Sequence, residues 1–446
     1  MVSLPWNAFA IIICCWGCAW ARPEQVHISL GERLDEMTVM WSTFRATELT
    51  TVQFGESADN LDRSANGTWQ VLNNRGSHQW VHTVRVTNLK VDTKYFYRVG
   101  DGQEWSDIFS FRTLKKGVEW RPRVVIFGDL GYRDAASVPR LTKEVENEDV
   151  DVILHNGDIA YDLHTNNGKV GDNFMNLIQP IAARVPYMVS VGNHEAFNWN
   201  YTNYKTRFDM PGTDDNLWYS FKVGPIHFIV MSTEVYFFLL YGGLDAVYSH
   251  YKWLDDTLRQ ANLPQNRAKW PWVITLGHRP MYCSNAALRY CRLDSNPVRV
   301  GVLRAYGLED VLYRHGVDVA FWGHNHCYER LLPTYDGKVY NGSVESPYRN
   351  PGAPIHITSG AAGNQEGSSN FRGVLQPWSA FGTTEKGYTK LVPYNSTHLF
   401  LQQLSSEQHD KVIDSLFIVK EKHGSYPKLP NRRTSRKKKN RRKIFL

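Results

Sequence analysis

Five short segments of this chain carry residue types that bind metal ions: Gly128-Asp129-Leu130-Gly131, Gly157-Asp158-Ile159-Ala160-Tyr161, Gly192-Asn193-His194-Glu195, Gly277-His278 and Gly323-His324-Asn325-His326. Oxygens from Asp and Asn, together with His nitrogens, suit iron, zinc or manganese. Two such ions about 3.5–4 Å apart need one ligand that reaches both, and a carboxylate can bridge them. Asp158, central in the order, is the natural bridge. His324 and His326 are one residue apart, so in an extended segment they share a face and neighbouring ions can each take one. Alone, each segment reads more simply: a Gly-Asp after a strand is a turn, and a lone His is a structural or surface residue. Together, each after an apolar run and each beside a Gly that permits close backbone approach, they point to one site.

The surrounding pattern predicts the elements that would bring them together. Val124 to Phe127 is a continuous apolar run, as in a strand buried on both faces. A helical stretch (Val138 to Glu148), a second buried strand (Val152 to Leu154), another helical stretch and a third strand (Tyr187 to Val191) give βαβαβ and hence a parallel sheet. Further strands are expected at Ile226 to Met231, Trp272 to Leu276, Val317 to Phe321 and Ile355 to Thr358, with helices at Tyr248 to Gln260 and Val302 to Arg314. In such sheets ligands bind beyond the carboxyl ends of the strands, where the five segments fall. Residues from Pro23 to Thr113 alternate instead, as in Thr83-Val84-Arg85-Val86 and Tyr95-Phe96-Tyr97-Arg98-Val99. Roughly seven short strands fit a β-sandwich. Leu89 to Tyr95 resembles the tyrosine-corner segment of fibronectin type III modules. A linker runs from Leu114 to Pro122.

Composition narrows the class. An apolar fraction of 42% and a charged fraction of 21% over 446 residues exclude disorder, collagen and coiled coil as descriptions of the whole chain. The net charge of +7 is carried by the tail, since residues Lys428 to Leu446 hold ten Lys/Arg and no acid. The body that remains is mildly acidic, which argues against a nucleic-acid partner. Met1 to Ala21 reads as a secretory signal, with an apolar core from Ala8 to Trp20 and a small-x-small site at Ala19-Trp20-Ala21. Ser3, Pro5 and Asn7 shorten that run below a membrane span, and the next most apolar stretch, Val235 to Tyr241, is far too short. Secretion to the exterior, or to the lysosome, is the expectation. Cys14, Cys15 and Cys18 leave with the signal. In an oxidising compartment Cys283 and Cys291 are close enough to pair, leaving Cys327 free. Sequons at Asn66, Asn200, Asn341 and Asn395 agree with passage through a glycosylating compartment.

The five segments match the motifs of the metallophosphoesterases, and Tyr161, three residues after Asp158, resembles the tyrosine ligand of the purple acid phosphatases. Other branches place a His two residues after the first Asp, where this chain has Gly131. The resemblance covers nearly the whole mature chain. It implies an α/β architecture with a fibronectin-III-like β-sandwich (22–116) followed by a four-layer αββα metallophosphoesterase domain (117–422). The signal peptide (1–21) precedes these, and a basic, low-complexity tail expected to be disordered (423–446) follows. It implies ferric iron on Asp129, Asp158, Tyr161 and His326. A second ion (ferrous iron, zinc or manganese) would sit on Asp158, Asn193, His278 and His324. The implied reaction is acid hydrolysis of phosphate monoesters, of small molecules or proteins, by metal-bound hydroxide. A trivalent ion should hold that hydroxide into acid pH, since zinc already lowers bound water to about 7.

His194 has no metal duty in this scheme. It binds the phosphoryl group or helps protonate the leaving oxygen, or it merely orients Asn193. One departure stands out: the loop from Met281 to Asp294 lacks the His that many family members use as leaving-group acid. Asp294 is the expected substitute, with Arg292 and Arg289 as alternatives. That gap keeps one rival open, a secreted binding protein with an inactive metal site; a phosphodiesterase, of the same broad chemistry, is the other. Ser359 to Asn364 resembles a family loop at the metal rim, or is a solvated turn. Glu329-Arg330 is expected to form a supporting ion pair. The basic tail offers charge for heparan-like polyanions or a site for trimming.

Overall fold

Alternating side chains between Glu24 and Arg112 build two four-stranded antiparallel sheets in the computed structural model, which describes residues 22–74, 76–196, 200–212, 215–284, 295–371 and 375–427. One sheet runs Glu24–Leu30, Met37–Thr43, Ser77–Val86, Thr68–Asn74. The other runs Arg63–Asn66, Thr51–Gly55, Lys94–Gly100, Phe109–Arg112. Val39, Trp41, Val84, Tyr95, Tyr97 and Phe111 fill the space between them. The tyrosine corner is present: the Lys90 backbone N–H donates to Tyr95 Oη at 3.0 Å, pinning the chain where it turns between the sheets.

The second half holds two mixed sheets, of six and seven strands. Val124–Phe127, Val152–Asn156 and Tyr187–Ser190 pair in parallel at the heart of the first. Ile226–Val230, Trp272–Leu276, Val319–Trp322 and Ile355–Ser359 do so in the second. The apolar runs are explained by burial on both faces. Trp272, Ile274 and Leu276 belong to the core shared with the first sheet, while Val273 between them packs under the helices Gly243–Ala261 and Glu309–Arg314. Helices Val138–Glu146 and Lys169–Ala182 cover the first sheet, completing the αββα layering.

The sandwich is joined to the second half by polar contacts. The Val26 backbone N–H donates to Gln179 Oε1 at 2.8 Å, and the Tyr97 hydroxyl to the Ala183 carbonyl at 2.7 Å. Arg207, only 1% exposed, donates to Gln25 Oε1 at 3.0 Å and to Asp172 Oδ1 at 2.8 Å. The His27 ring reaches the Arg207 carbonyl at 2.9 Å.

Two expectations are corrected. Residues 302–314 are not one helix: Gly301–Val302 and Ala305–Tyr306 form a small hairpin, and the helix is Glu309–Arg314. Positive φ at Leu303 (50°) and Arg304 (65°) makes the tight turn that the apolar spacing concealed. The tail begins later than 423. The Tyr426 hydroxyl donates to the Val317 carbonyl at 3.0 Å, Tyr313 donates to Pro427, and His423 packs edge-on to Trp272, so residues 423–427 are strapped to the second half. The expected tail from Lys428 and the signal at 1–21 lie outside the described residues, as does Cys291 of the expected disulfide. Cys283 is disulfide-bonded, and Cys327 is a buried free thiol.

His250, in the long helix, shows how burial couples this fold to pH. It is enclosed by Trp218, Tyr236 and Trp253, and among the described residues neither ring nitrogen has a hydrogen-bond partner. Burial pushes its pKa down to about 3. The unfolded chain therefore takes up this proton first, and stability is lost as pH falls from about 6.5 toward 3. At pH 5 the loss from this one ring is about 2 kcal/mol. His250→Phe is expected to raise the thermal midpoint more at pH 5 than at pH 7. Equal shifts at both pH values in calorimetry would count against a neutral buried ring.

Candidate metal centre

The five motifs begin where parallel strands end, and the chain turns sharply there. Asp129 (φ 63°), Asp158 (φ 53°), Tyr161 (φ 53°) and His324 (φ 67°) all occupy the left-handed region, which costs of order 1–3 kcal/mol at a non-glycine residue. Strain of this kind concentrates at sites that need a particular side-chain direction. The glycines permit the convergence: a Cβ on Gly192 would lie 2.3 Å from Asp158 Oδ1, and one on Gly323 would lie 2.6 Å from Asp129 Oδ2.

Asp158, His278 and His324 place ligand atoms within 4.8 Å of one another. His278 Nδ1 is engaged by the Asn156 carbonyl at 3.0 Å, which turns Nε2 inward. Nε2 sits 3.0 Å from Asp158 Oδ2 yet off the hydrogen-bond axis, and among the described residues the buried Asn193 Oδ1 has no hydrogen-bond partner. A second group adjoins the first. The Tyr161 hydroxyl lies 2.8 Å from His326 Nε2 and donates to Asp129 Oδ1 at 3.2 Å, and His326 Nε2 is 3.5 Å from that oxygen. His326 Nδ1 is fixed by the Gly367 carbonyl at 2.7 Å. The His324 backbone N–H donates to Asp129 Oδ2 at 2.8 Å and ties the groups together. Six of the seven sequence-selected side chains are thus drawn into two adjoining clusters, and the seventh, Asn193, follows Gly192, which packs against Asp158. This oxygen and nitrogen donor set fits hard-to-borderline cations.

The charges fit as well. Burial opposes ionisation of Asp158, but the His278, His194 and His324 rings together outweigh it and hold the carboxyl well below the usual range. Burial likewise opposes protonation of His278, and Asp158 overrides it, raising that ring to about 10. A cation on His278 Nε2 would replace this proton, so metal uptake should release it. Burial and the Arg279 charge push His324 down, leaving a neutral ring able to ligate. Burial, Asp129 and Asp158 push the Tyr161 phenol up, so losing its proton requires a strong Lewis acid. Burial raises Asp129 to about 6 despite His278 and His326.

Comparisons with known proteins agree along the length of the chain. Residues 23–113 match the N-terminal domain of purple acid phosphatases, 122–328 the calcineurin-like phosphoesterases, and 353–415 the C-terminal region of iron/zinc purple acid phosphatase-like proteins. Acid phosphatase type 7 of Danio rerio is 47% identical over 411 residues, covering 90% of this chain and 92% of its own length. The Homo sapiens protein of the same name is 46% identical over 409 residues, covering 91% and 92%. The chain belongs to the purple acid phosphatase family. Its enzymatic class is that of an acid phosphatase. Among solved structures, a purple acid phosphatase from yellow lupin (Lupinus luteus) seeds superposes with a TM-score of 0.74 at 25% identity, covering 90% of this chain and 74% of that one.

Within this purple acid phosphatase fold, supporting residues emerge that the sequence did not single out. Glu195, fully buried, accepts backbone N–H groups from Asp158 (2.9 Å), Ile159 (2.8 Å) and Gly192 (2.7 Å), clamping two motif loops together. Its place in Gly192-Asn193-His194-Glu195 was the available signal. The Ser359–Asn364 segment is the rim loop, not a solvated turn. Asn364 donates to the Asp129 carbonyl at 3.2 Å, and Gln365 to the Tyr161 carbonyl at 3.2 Å. Arg279, directly after His278, pairs with the buried Glu234 at 3.0 Å and places Nη1 3.0 Å from His324 Nε2. The expected Glu329-Arg330 pair does not form. Arg330 bonds Asp414 at 2.6 Å, while Glu329 accepts from the Ser284 backbone at 3.0 Å, because neighbours on a strand face opposite ways. Asp294 lies outside the described residues.

Proposed function

We propose that this acid phosphatase hydrolyses phosphate monoesters at acid pH, using one ferric ion and one ferrous, zinc or manganese ion. The observation that carries the reading is the convergence of Asp158, His278 and His324 beside Asp129, Tyr161 and His326. Asp129, Asp158, Tyr161 and His326 would hold the ferric ion; Asp158, Asn193, His278 and His324 would hold the other. When bound, the pair would supply Lewis-acid activation of water and neutralise phosphoryl charge. Asn156 and Gly367 fix the tautomers of His278 and His326. His194 is oriented by Asp162, with Nδ1 2.7 Å from Oδ1, and its ring lies 4.4 Å from that of Tyr161. Its Nε2 is 3.9 Å from Asp158 Oδ2 and 3.6 Å from Glu366 Oε1. That position suits a donor to the phosphoryl group or to the leaving oxygen. The leaving-group role of Asp294 rests on the sequence alone.

Secretion and glycosylation belong to the same proposal. Asn66, Asn200, Asn341 and Asn395 are all exposed, which supports carbohydrate attachment. Among the described residues no helix is long and apolar enough to cross a membrane.

Metal analysis of the purified protein, with paired assays on a phosphate monoester and a diester between pH 4 and 7, tests the reading. Two ions per chain and a preference for the monoester are expected. Preference for the diester would move the assignment to a phosphodiesterase, and two ions without turnover would favour the inactive binding protein. Tyr161→Phe is expected to abolish the visible phenolate-to-iron band while leaving the second ion in place; an unchanged spectrum would remove Tyr161 from the ligand set.

A further inference from the structure

We propose that the cleft between the β-sandwich and the second half, beside Trp270, is a ligand site separate from the metal centre, and that it takes an organic anion: a carboxylate, sulfonate or phosphate on an apolar body. The inference does not depend on the monoester reading. The cleft has a volume of about 570 Å³. Its walls come from both halves of the chain, and ligand sites form preferentially at such boundaries. Leu30 and Met37 belong to the sandwich, Leu114 and Val118 to the linker, and Phe221 and Trp270 to the second half. These side chains supply the apolar lining.

The charge in the cleft is one-sided. Lys222 Nζ lies 4.1 Å and Lys269 Nζ 4.5 Å from the centroid of the Trp270 ring. The two ammonium groups are therefore within one Debye length of each other, about 10 Å at moderate salt. The indole attracts each of them. Among the described residues, however, no carboxylate forms an ion pair with either, nor with Lys115 or Lys116 on the linker side of the cleft. Partial burial, and then the Lys269 charge, push the Lys222 pKa down, as expected of an ammonium group short of a counterion. The acids in the lining are Glu32 and Glu36. Glu36 is already engaged by Arg33, whose backbone N–H donates to Oε2 at 3.3 Å and whose guanidinium lies 3.7 Å away. Four lysines thus share the cleft with one other acid. An anion would relieve that excess, and an apolar body attached to it would cover the indole and the apolar lining.

The segments that form the cleft are held in place. The Thr113 hydroxyl donates to the Lys90 carbonyl at 2.6 Å, and the Asp92 N–H to the Leu114 carbonyl at 3.2 Å, which fixes the start of the linker on the sandwich. At its other end, a Cβ on Gly224 would lie 2.9 Å from Pro122 Cδ, so the linker packs tightly on the turn between strands Tyr219–Val223 and Ile226–Val230. The cleft is also remote from the ions. Trp270 precedes the strand Trp272–Leu276 and His278 follows it, so cleft and metal centre lie at opposite ends of that strand.

Titration calorimetry of the full-length protein with naphthalene-1-sulfonate tests the site. The wild type is expected to bind with a Kd below about 1 mM, the range open to a ligand of this size. The Lys222→Met/Lys269→Met double variant should bind at least about tenfold more weakly. Lys269→Glu, which offers Lys222 an internal counterion, should weaken binding by a similar factor on its own. Neutral naphthalene-1-sulfonamide and inorganic sulfate should each bind the wild type at least about tenfold more weakly than the sulfonate. No binding to the wild type would overturn the site, and so would wild-type affinity in either variant, which is also the result expected if the sulfonate sat at the metal centre. Equal affinity for the sulfonamide or for sulfate would overturn the assignment to an organic anion.

Discussion

Asp158→Asn is expected to strip at least one ion from the purified protein and to lower kcat/KM about a thousandfold, equivalent to about 4 kcal/mol of transition-state stabilisation. The change is nearly isosteric, so the loop shape should persist: Asp158 Oδ1 accepts the His194 backbone N–H at 3.0 Å, and an amide oxygen can do the same. What disappears is the charge. It holds the His278 ring 3.0 Å away, and it is the only proposed ligand common to both ions. Metal quantification alongside kinetics separates loss of binding from loss of chemistry. Full occupancy with normal turnover would end the bridging assignment.

The largest stability effect is expected at Asp318. This carboxylate is fully buried and accepts from Arg267 Nη1 at 3.1 Å, Lys420 Nζ at 2.5 Å and the Val273 backbone at 2.8 Å. Burial opposes its charge, but Arg267 and Lys420 overcome that and hold the carboxyl far below the usual range. Asp318→Ala would strand two cations inside the protein, at a cost of about 3–5 kcal/mol. The thermal midpoint should fall by about 5 °C. Replacing Lys420 by Met at the same time should restore part of the loss, since one stranded charge is gone. A single variant that melts with the wild type would show that water reaches this network.

The proposed ligands were legible because metal sites in open sheets use a few residue types at strand ends, and adjacent glycines mark the close approach. Val124 to Phe127 and its parallel neighbours were legible because burial on both faces leaves unbroken apolar runs. What stayed hidden depends on partners far apart in the chain. Nothing local to Glu195 says that three backbone N–H groups will meet its carboxylate, and nothing near Arg330 says that it will choose Asp414, 84 residues away, over Glu329 beside it. The Val302–Arg314 helix was misread because apolar spacing does not report the positive φ of Leu303 and Arg304. The short Ser-Tyr-Pro stretch before the basic tail gave no periodic signal, although Tyr426 is buried.

The contacts of Gln25 and His27 with Arg207 have an evolutionary consequence. Arg207 is held at once by Gln25 of the sandwich and by Asp172 of the second half, so a change at one partner alters the setting of the other. The two halves are therefore expected to select residues jointly at Gln25, His27, Asp172 and Arg207, and paired replacements there should depart from additivity.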